Sequence, residues 1–436
     1  MGFRVHDILR EIVLSKSVEQ NFATIANRRN IESPKMFRRL AIHRFDDQIL
    51  KSTSSRKNLR SLLIIESLSS LNVSLLLSKF FTGSYSPLKV LELRGAQLEE
   101  IPEQVFNLFQ LKYLSLRGTK LRSIPKSIGR LQNLETLDLK YTRVNEIPAE
   151  LSKLCKLRHL LCYSKSLIRT FIPWADDEIR GFNALFKVGE LLFLQQLCRI
   201  QANDTTGGKV VSEIGKLTQL RRLGITKLRQ EDGIELCSSL KKLTNLCSLD
   251  LCLASEDEIL DITLDLPLRL RTLRLIGRLE RAPQCLSSLV GLTTLFLGWS
   301  KLSEDPLLLL QDLPMLTKLV LVKSYEGDGL CFKAEKFSKL KFLGIAGLAA
   351  LKWITMEEGS LRHLEAFMMH KCELFEQVPL GIEYLSNLKS LHFDELPDIT
   401  FEPNCKNYAK ISHIPRIYTS KLIDGKRTDF LNGQKV

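Results

Sequence analysis

Leucine returns along most of this chain at a nearly constant step. The clearest stretch reads Leu88-x-x-Leu91-x-Leu93, Leu111-x-x-Leu114-x-Leu116, Leu134-x-x-Leu137-x-Leu139 and Leu157-x-x-Leu160, each start 23 residues after the last. A pattern of this kind restricts the fold severely. One 23-residue segment cannot bury its own apolar face, so consecutive segments stack and share a continuous core. The prior of about three domains that the length of 436 residues would suggest gives way to one elongated repeat body.

The motif is that of a leucine-rich repeat, and the fold class it predicts is an α/β solenoid, a leucine-rich repeat horseshoe. Each hexamer forms a short strand. Its leucines point inward and the residues between them point to solvent on the concave side. The ladder is entered through Leu40-x-Ile42 and Leu59-x-x-Leu62-x-Ile64. It continues at Leu194, Leu220, Leu246, Leu270, Leu292, Leu316, Leu340, Leu361 and Leu388, for about 14 units counted from Leu59. The segment 163–193 fits badly, includes Pro173-Trp174-Ala175-Asp176-Asp177-Glu178, and reads as an enlarged loop in the Leu157 unit. Ile101-Pro102, Ile124-Pro125 and Ile147-Pro148 recur at the same 23-residue step. The isoleucine fills core, and the proline sits on the convex side where a missing N–H costs nothing. The repeat domain spans 36–401, and 402–436 form a cap and polar tail.

Residues 3–27 are patterned differently. Phe3, Val5, Ile8, Leu9, Ile12 and Val13 fall at helical spacing, which predicts an amphipathic helix from about His6 to Ser15, with Asp7 in its first turn. A second short helix is expected around Val18 to Ala26. Two such helices cannot bury a core of their own, so 1–35 reads as the end of a domain.

Charge and cysteine usage narrow the function classes. The net charge is +14, and 28–60 hold ten Lys/Arg against three acids, half of the excess. Arg38, Arg39 and Arg44 lie within it. A basic run of this kind is a solvated face or a contact for an acidic protein surface. No helix-turn-helix, zinc-finger or aromatic RNA-binding motif accompanies it, so nucleic acid is not expected as a partner. The ten cysteines include no Cys-x-x-Cys pair, and several take apolar ladder positions. That scatter predicts no metal site, free thiols and a reducing, cytoplasmic compartment. The most apolar stretch, Ser61 to Leu77, is interrupted by Glu66 and Asn72 and is not expected to span a membrane. There is no phosphate loop, no Gly-x-Ser-x-Gly elbow and no His-Glu-x-x-His, and the seven histidines are not paired at ligand spacing. An enzyme is therefore not expected, and no catalytic residue is assigned.

The outward concave positions change along the chain. In the first regular units they are Glu92, Arg94, Ser115, Arg117, Asp138 and Lys140, a mixed charged surface. Later they are Ile276, Phe296, Val320, Val322 and Phe342, with Gly298 and Trp299 beside them. Adjacent apolar residues at outward positions predict a patch, and such patches mark contacts unless the protein covers them itself. Arg94, Arg117, Lys140, Ile276, Phe296, Val320, Val322 and Phe342 are accordingly the candidate partner-binding residues of the ladder.

The segment Phe3-Arg4-Val5-His6-Asp7-Ile8-Leu9-Arg10-Glu11-Ile12 resembles the Met-His-Asp region of plant intracellular immune receptors of the coiled-coil, nucleotide-binding, leucine-rich-repeat class, with Val5 in place of methionine. Arg38-Arg39-Leu40-Ala41-Ile42-His43 resembles their junction into the repeats, and the Ile-Pro units resemble their convex side. The resemblance implies that 1–35 are a remnant of the winged-helix part of the nucleotide-binding domain. It implies that His6, flanked by Val5 and Asp7, lies near the β-phosphate of ADP. ADP or ATP is expected only in a full-length receptor, and no cofactor is expected in this chain, which reads as the C-terminal portion of one. The repeat array would then recognise a pathogen effector or a guarded host protein. It would also restrain a nucleotide-binding domain of the same or a related receptor, docked through Arg38, Arg39 and Arg44. The alternative is a free-standing intracellular repeat scaffold for protein–protein interaction.

Overall fold

The computed structural model describes residues 24–26, 38–42, 58–64, 70–81, 87–163, 181–202, 210–260, 266–396, 406–423, 426–431 and 434–435. They fall into two compact units, one from the described residues up to Leu220 and the other from Arg221 onward. The helix expected over His6 to Ser15, and with it the winged-helix reading, lies outside the described residues.

The first unit is a parallel ladder. Its strands are β1 (Thr24–Ala26), β2 (Arg39–Ile42), β3 (Ser61–Ile64), β4 (Val90–Glu92), β5 (Tyr113–Ser115), β6 (Thr136–Asp138), β7 (His159–Leu161) and β8 (Gln196–Gln201). Each pairs in register with the next, so that Leu62, Leu91, Leu114, Leu137, Leu160 and Leu197 form one column. Every member of that column is fully buried. Burial of this kind contributes about 1.5–3 kcal/mol per leucine side chain relative to exposure. The ladder begins earlier than the sequence suggests. Thr24–Ala26 is a strand paired with β2, not the end of a second helix. The β-branched pair Thr24-Ile25 suits a strand, and pairing along the β2 edge overrides the helical spacing of so short a segment.

Return to the next strand runs through a turn of 3₁₀-helix. Pro102, Pro125 and Pro148 stand immediately before the turns Glu103–Asn107, Lys126–Arg130 and Ala149–Lys153. Their φ values of −57°, −73° and −67° are those the pyrrolidine ring prefers. Their carbonyls accept the first turn hydrogen bonds, from the N–H of Val105, Ile128 and Leu151 at 3.0–3.1 Å. Ile101, Ile124 and Ile147 are buried beneath them. The irregular segment resumes this pattern at its end. Asn183–Ala184 pairs with Glu146–Ile147, and Phe182, Val188 and Leu191 are buried.

The second unit repeats the design with longer strands. These are β9 (Arg222–Leu228), β10 (Ser248–Leu253), β11 (Thr272–Ile276), β12 (Thr294–Gly298), β13 (Lys318–Val322), β14 (Phe342–Ala346), β15 (Ala366–His370), β16 (Ser390–Asp394), β17 (Arg416–Ile423) and β18 (Lys426–Leu431). Pairing is parallel and sequential through β17, and β18 folds back antiparallel. The parallel sheet thus runs one strand past the last leucine hexamer, into the segment read as cap.

One register needs correction. The motif starts at Leu364, not Leu361, because Leu343 pairs with Phe367 and Ile345 with Met369. Phe367 and Met369 fill the second and third leucine slots. Leu361 is buried in the preceding turn with φ +51°.

Among the described residues no helix is long and apolar enough to cross a membrane. The nine described cysteines are free thiols.

Candidate protein-interaction surface

Side chains between the ladder leucines emerge on the open face of each sheet. In the first unit this face is charged, and it is largely satisfied by its own members. The Tyr113 hydroxyl donates to Oε2 of Glu92 at 3.0 Å, and Arg94 Nε lies 3.9 Å from Glu92 Oε1. Burial, then the Glu92 carboxylate, raise the Tyr113 phenol above its ordinary value. Asp138 is buried. Its Oδ1 accepts from the Lys140 backbone N–H at 3.0 Å, and Lys140 Nζ lies 3.7 Å from Oδ2. Ser115 is buried as well, so two of the six positions expected to face solvent do not. Arg94 is exposed, while Arg117 and Lys140 are half-buried.

Arg117 belongs to an aromatic–cationic cluster that the leucine spacing does not reveal. Its guanidinium lies 4.8 Å from the Tyr141 ring centre. Tyr141 meets Tyr163 edge-on at 5.3 Å, and the Tyr163 hydroxyl donates to that of Tyr141 at 3.3 Å. Arg199 lies 5.9 Å from the Tyr163 ring. Burial and the Tyr141 contact hold the Tyr163 phenol protonated. Tyr and Arg together are the residue types that dominate binding hot spots. The sequence signal for this cluster is a tyrosine within two residues of the third ladder position in two successive units, Tyr141 after Leu139 and Tyr163 after Cys162.

The second unit corrects the exposed-patch expectation. Phe296, Val320 and Val322 are only 6%, 2% and 2% exposed, and with Ala346 they form a buried cluster. Ile276, Trp299, Phe342 and Met368 pack around it, partly exposed. The cause is direct stacking across the parallel register, where Phe296 lies beside Val320 and Gly298 beside Val322. The Phe296 ring leans over Gly298, where a Cβ would stand 2.6 Å from the ring edge. Cations cover what remains. Arg274 sits 3.9 Å above the Phe296 ring and Lys318 4.9 Å above that of Phe342. Burial, then Arg274, lower the Lys318 ammonium below its ordinary range. Of the five apolar residues expected at this surface, Ile276 and Phe342 alone keep substantial exposure.

At the far end of the same face lie polar residues that the ladder reading did not single out. His392 stacks on Tyr418, with ring centres 4.3 Å apart and planes 13° apart. His370 Nδ1 lies 3.1 Å from Asp394 Oδ2. These residues occupy ordinary outward positions scattered over three strands, and only their register brings them together.

The basic segment is partly described. Arg38 and Arg39 are exposed at the start of β2. Val5, His6, Asp7 and Arg44 lie outside the described residues.

Paired parallel strands, buried leucine columns and proline-started turns define a leucine-rich repeat protein. The leucine-rich repeat region family matches residues 58–401, and the chain belongs to that family. It is 34% identical over 428 residues to disease resistance protein RPM1 of Arabidopsis thaliana, a match covering 95% of this chain and 44% of that protein. It is 26% identical to disease resistance protein RPP8 of the same plant, over 95% of this chain and 45% of that one. The chain spans a little under half the length of these relatives. Among solved structures, a leucine-rich repeat protein of Leptospira interrogans is similar with a TM-score of 0.50 and 18% identity. That match covers 92% of this chain and 97% of the other, and it concerns the fold alone.

Proposed function

We propose that this chain is the recognition array of a plant disease resistance protein, acting by binding other proteins. The observation that carries this reading is the 34% identity to disease resistance protein RPM1 sustained over 95% of the chain. A likeness of the repeat motif alone would not name a function. The open faces support a binding role. The first offers Arg94, Arg117 and Lys140 beside a tyrosine pair, a surface suited to an acidic, aromatic-containing protein segment. The second offers the exposed parts of Ile276 and Phe342 around a rigid floor made by Phe296, Val320 and Val322.

Two partners follow from this reading. One is a pathogen effector or a host protein that an effector alters. The other is a nucleotide-binding domain, held closed by the array through Arg38, Arg39 and Arg44 until recognition shifts the balance. A ligand moves such an equilibrium only through different affinities for the two states. ADP or ATP would be held by that domain, with His6 near the phosphates. The place of action is the cytoplasm, free or at the plasma-membrane surface.

The test uses a complete receptor carrying this array, expressed in leaf tissue. Reversing charge at Arg38, Arg39 and Arg44 is expected to produce cell death without any pathogen, and Arg117→Glu is expected to leave the unstimulated receptor silent. Silence of the triple variant at normal protein levels refutes the restraining role. In plants that resist a given pathogen strain through this gene, Arg117→Glu is expected to abolish resistance. Full resistance with that variant refutes the binding face.

A further inference from the structure

The third outward row of the second unit ends in His370 on β15, Asp394 on β16 and Ser420 on β17, at successive register positions. All three are nearly buried, at 6%, 6% and 5% exposure. Glu395 follows Asp394 and is half-buried. One ligand atom from each of His370, Asp394 and Glu395 lies within 4.8 Å of the others.

Two observations separate this cluster from an ordinary ion pair. Neither ring nitrogen of His370 has a hydrogen-bond partner, although Nδ1 stands 3.1 Å from an Asp394 carboxylate oxygen. The pair is close but not aligned as donor and acceptor. The Ser420 hydroxyl, on the next strand, is buried and also lacks a hydrogen-bond partner. Buried polar groups in folded proteins nearly always find partners, so orphaned atoms gathered at one place call for something between them. A cation bonded at about 2.0–2.1 Å would bring its N and O ligands to about 3.3 Å from each other in tetrahedral geometry, close to the observed separation.

We infer that His370, Asp394 and Glu395 bind a divalent transition-metal ion of the zinc class at the end of the open face. One imidazole with two carboxylates is a donor set that suits zinc, and three protein ligands leave a fourth position for water or for a partner's side chain. The ion would tie β15 to β16. The site goes beyond the recognition reading and does not depend on it. It also runs against the expectation from cysteine spacing, which considered sulfur ligands and paired histidines only. Lys371 Nζ, 3.6 Å from Glu395 Oε2, is the competing cation, and the metal must displace it. The Cys372 thiol donates to the His370 carbonyl at 3.7 Å, and no sulfur is among the ligand atoms that gather at the site.

The test is titration of the whole chain, freed of metal, with Zn²⁺ by calorimetry, and with Co²⁺ by absorption spectroscopy. Wild type is expected to bind one ion tightly, and Co²⁺ is expected to give visible bands without the near-ultraviolet band of a sulfur ligand. His370→Asn, Asp394→Asn and Glu395→Gln are each expected to weaken that site by more than about 100-fold, beyond the usual cost of losing a supporting contact. Because a buried substitution can disturb folding, Lys371→Ala supplies an arm at a half-exposed position. It removes the competitor and is expected to tighten binding several-fold with an unchanged circular dichroism spectrum. The proposal is overturned if wild type binds no better than the three ligand variants. A sulfur band in the Co²⁺ spectrum, or unchanged affinity in Lys371→Ala, overturns it as well.

Discussion

Phe296 shows how a side chain on the outward side of a strand becomes core. Alternation along β12 places it opposite Leu295 and Leu297, on the open face. Its neighbours across the register, Arg274 and Val320, then close over it, and Gly298 leaves room for the ring to lie flat. A side chain 6% exposed is packed from every side. Phe296→Ala is therefore expected to destabilise the protein by about 3–5 kcal/mol, while Arg94→Ala changes stability by no more than about 0.5 kcal/mol. Urea unfolding of both variants decides the matter. Equal midpoints would mean that Phe296 is a surface residue. Apart from Leu361, the ladder residues themselves were legible one by one, since an apolar side chain at each leucine slot has a single place to go. The outward residues were not, because their burial depends on the sizes of residues 22–24 positions away.

At the scale of the repeat element, the position just after the third outward residue turns the chain out of the strand, and it is repeatedly left-handed. It is Gly95 and Gly118 in early units, at φ +73° and +70°. It is Tyr141, Trp299, Lys323, Lys371 and Glu395 elsewhere, at φ between +46° and +62°. Glycine marks the turn openly. The bulky residues hide it, and tertiary pairing imposes on them a conformation that their own sterics disfavour. At Gly118 an added Cβ would meet nothing closer than 3.8 Å, so a substitution there reports conformation without crowding. Gly118→Val is expected to cost about 1–2 kcal/mol. Gly118→Asn, which tolerates the left-handed region, is expected to stay within about 0.5 kcal/mol of wild type. Equal losses from both would locate the effect outside the backbone. The same element explains the slip at Leu361. Both Leu361 and Leu364 are buried, and hydrophobicity alone cannot say which one opens the strand. Pairing of Leu343 with Phe367 does.

At the scale of the whole molecule, repeats hold one another through nearest-neighbour contacts, and the ends carry the burden of closing the stack. In the second unit β16 is covered by β17, and β17 by the antiparallel β18. A chain ending at Leu396 would leave β16 as a bare edge with unpaired backbone groups. Such an edge recruits other chains. That truncation is expected to lower the melting temperature and to produce concentration-dependent association, read by calorimetry and light scattering. A monomer with unchanged melting would make the last strands dispensable.

The sequence by itself determined the repeat, the burial of its leucine columns, the proline-started turns and the resemblance to plant resistance proteins. The first three follow from local periodicity, which constrains each residue against neighbours a fixed step away, and the resemblance rests on the segments Phe3 to Ile12 and Arg38 to His43. Tertiary structure alone decided three further matters. It placed the ladder's first described strand at Thr24–Ala26, it turned the apolar patch into a self-covered floor, and it gathered His370, Asp394 and Glu395 from two strands. In each case the outcome rests on which residues stand side by side across strands. Parallel register sets that, and no spacing within a single repeat encodes it.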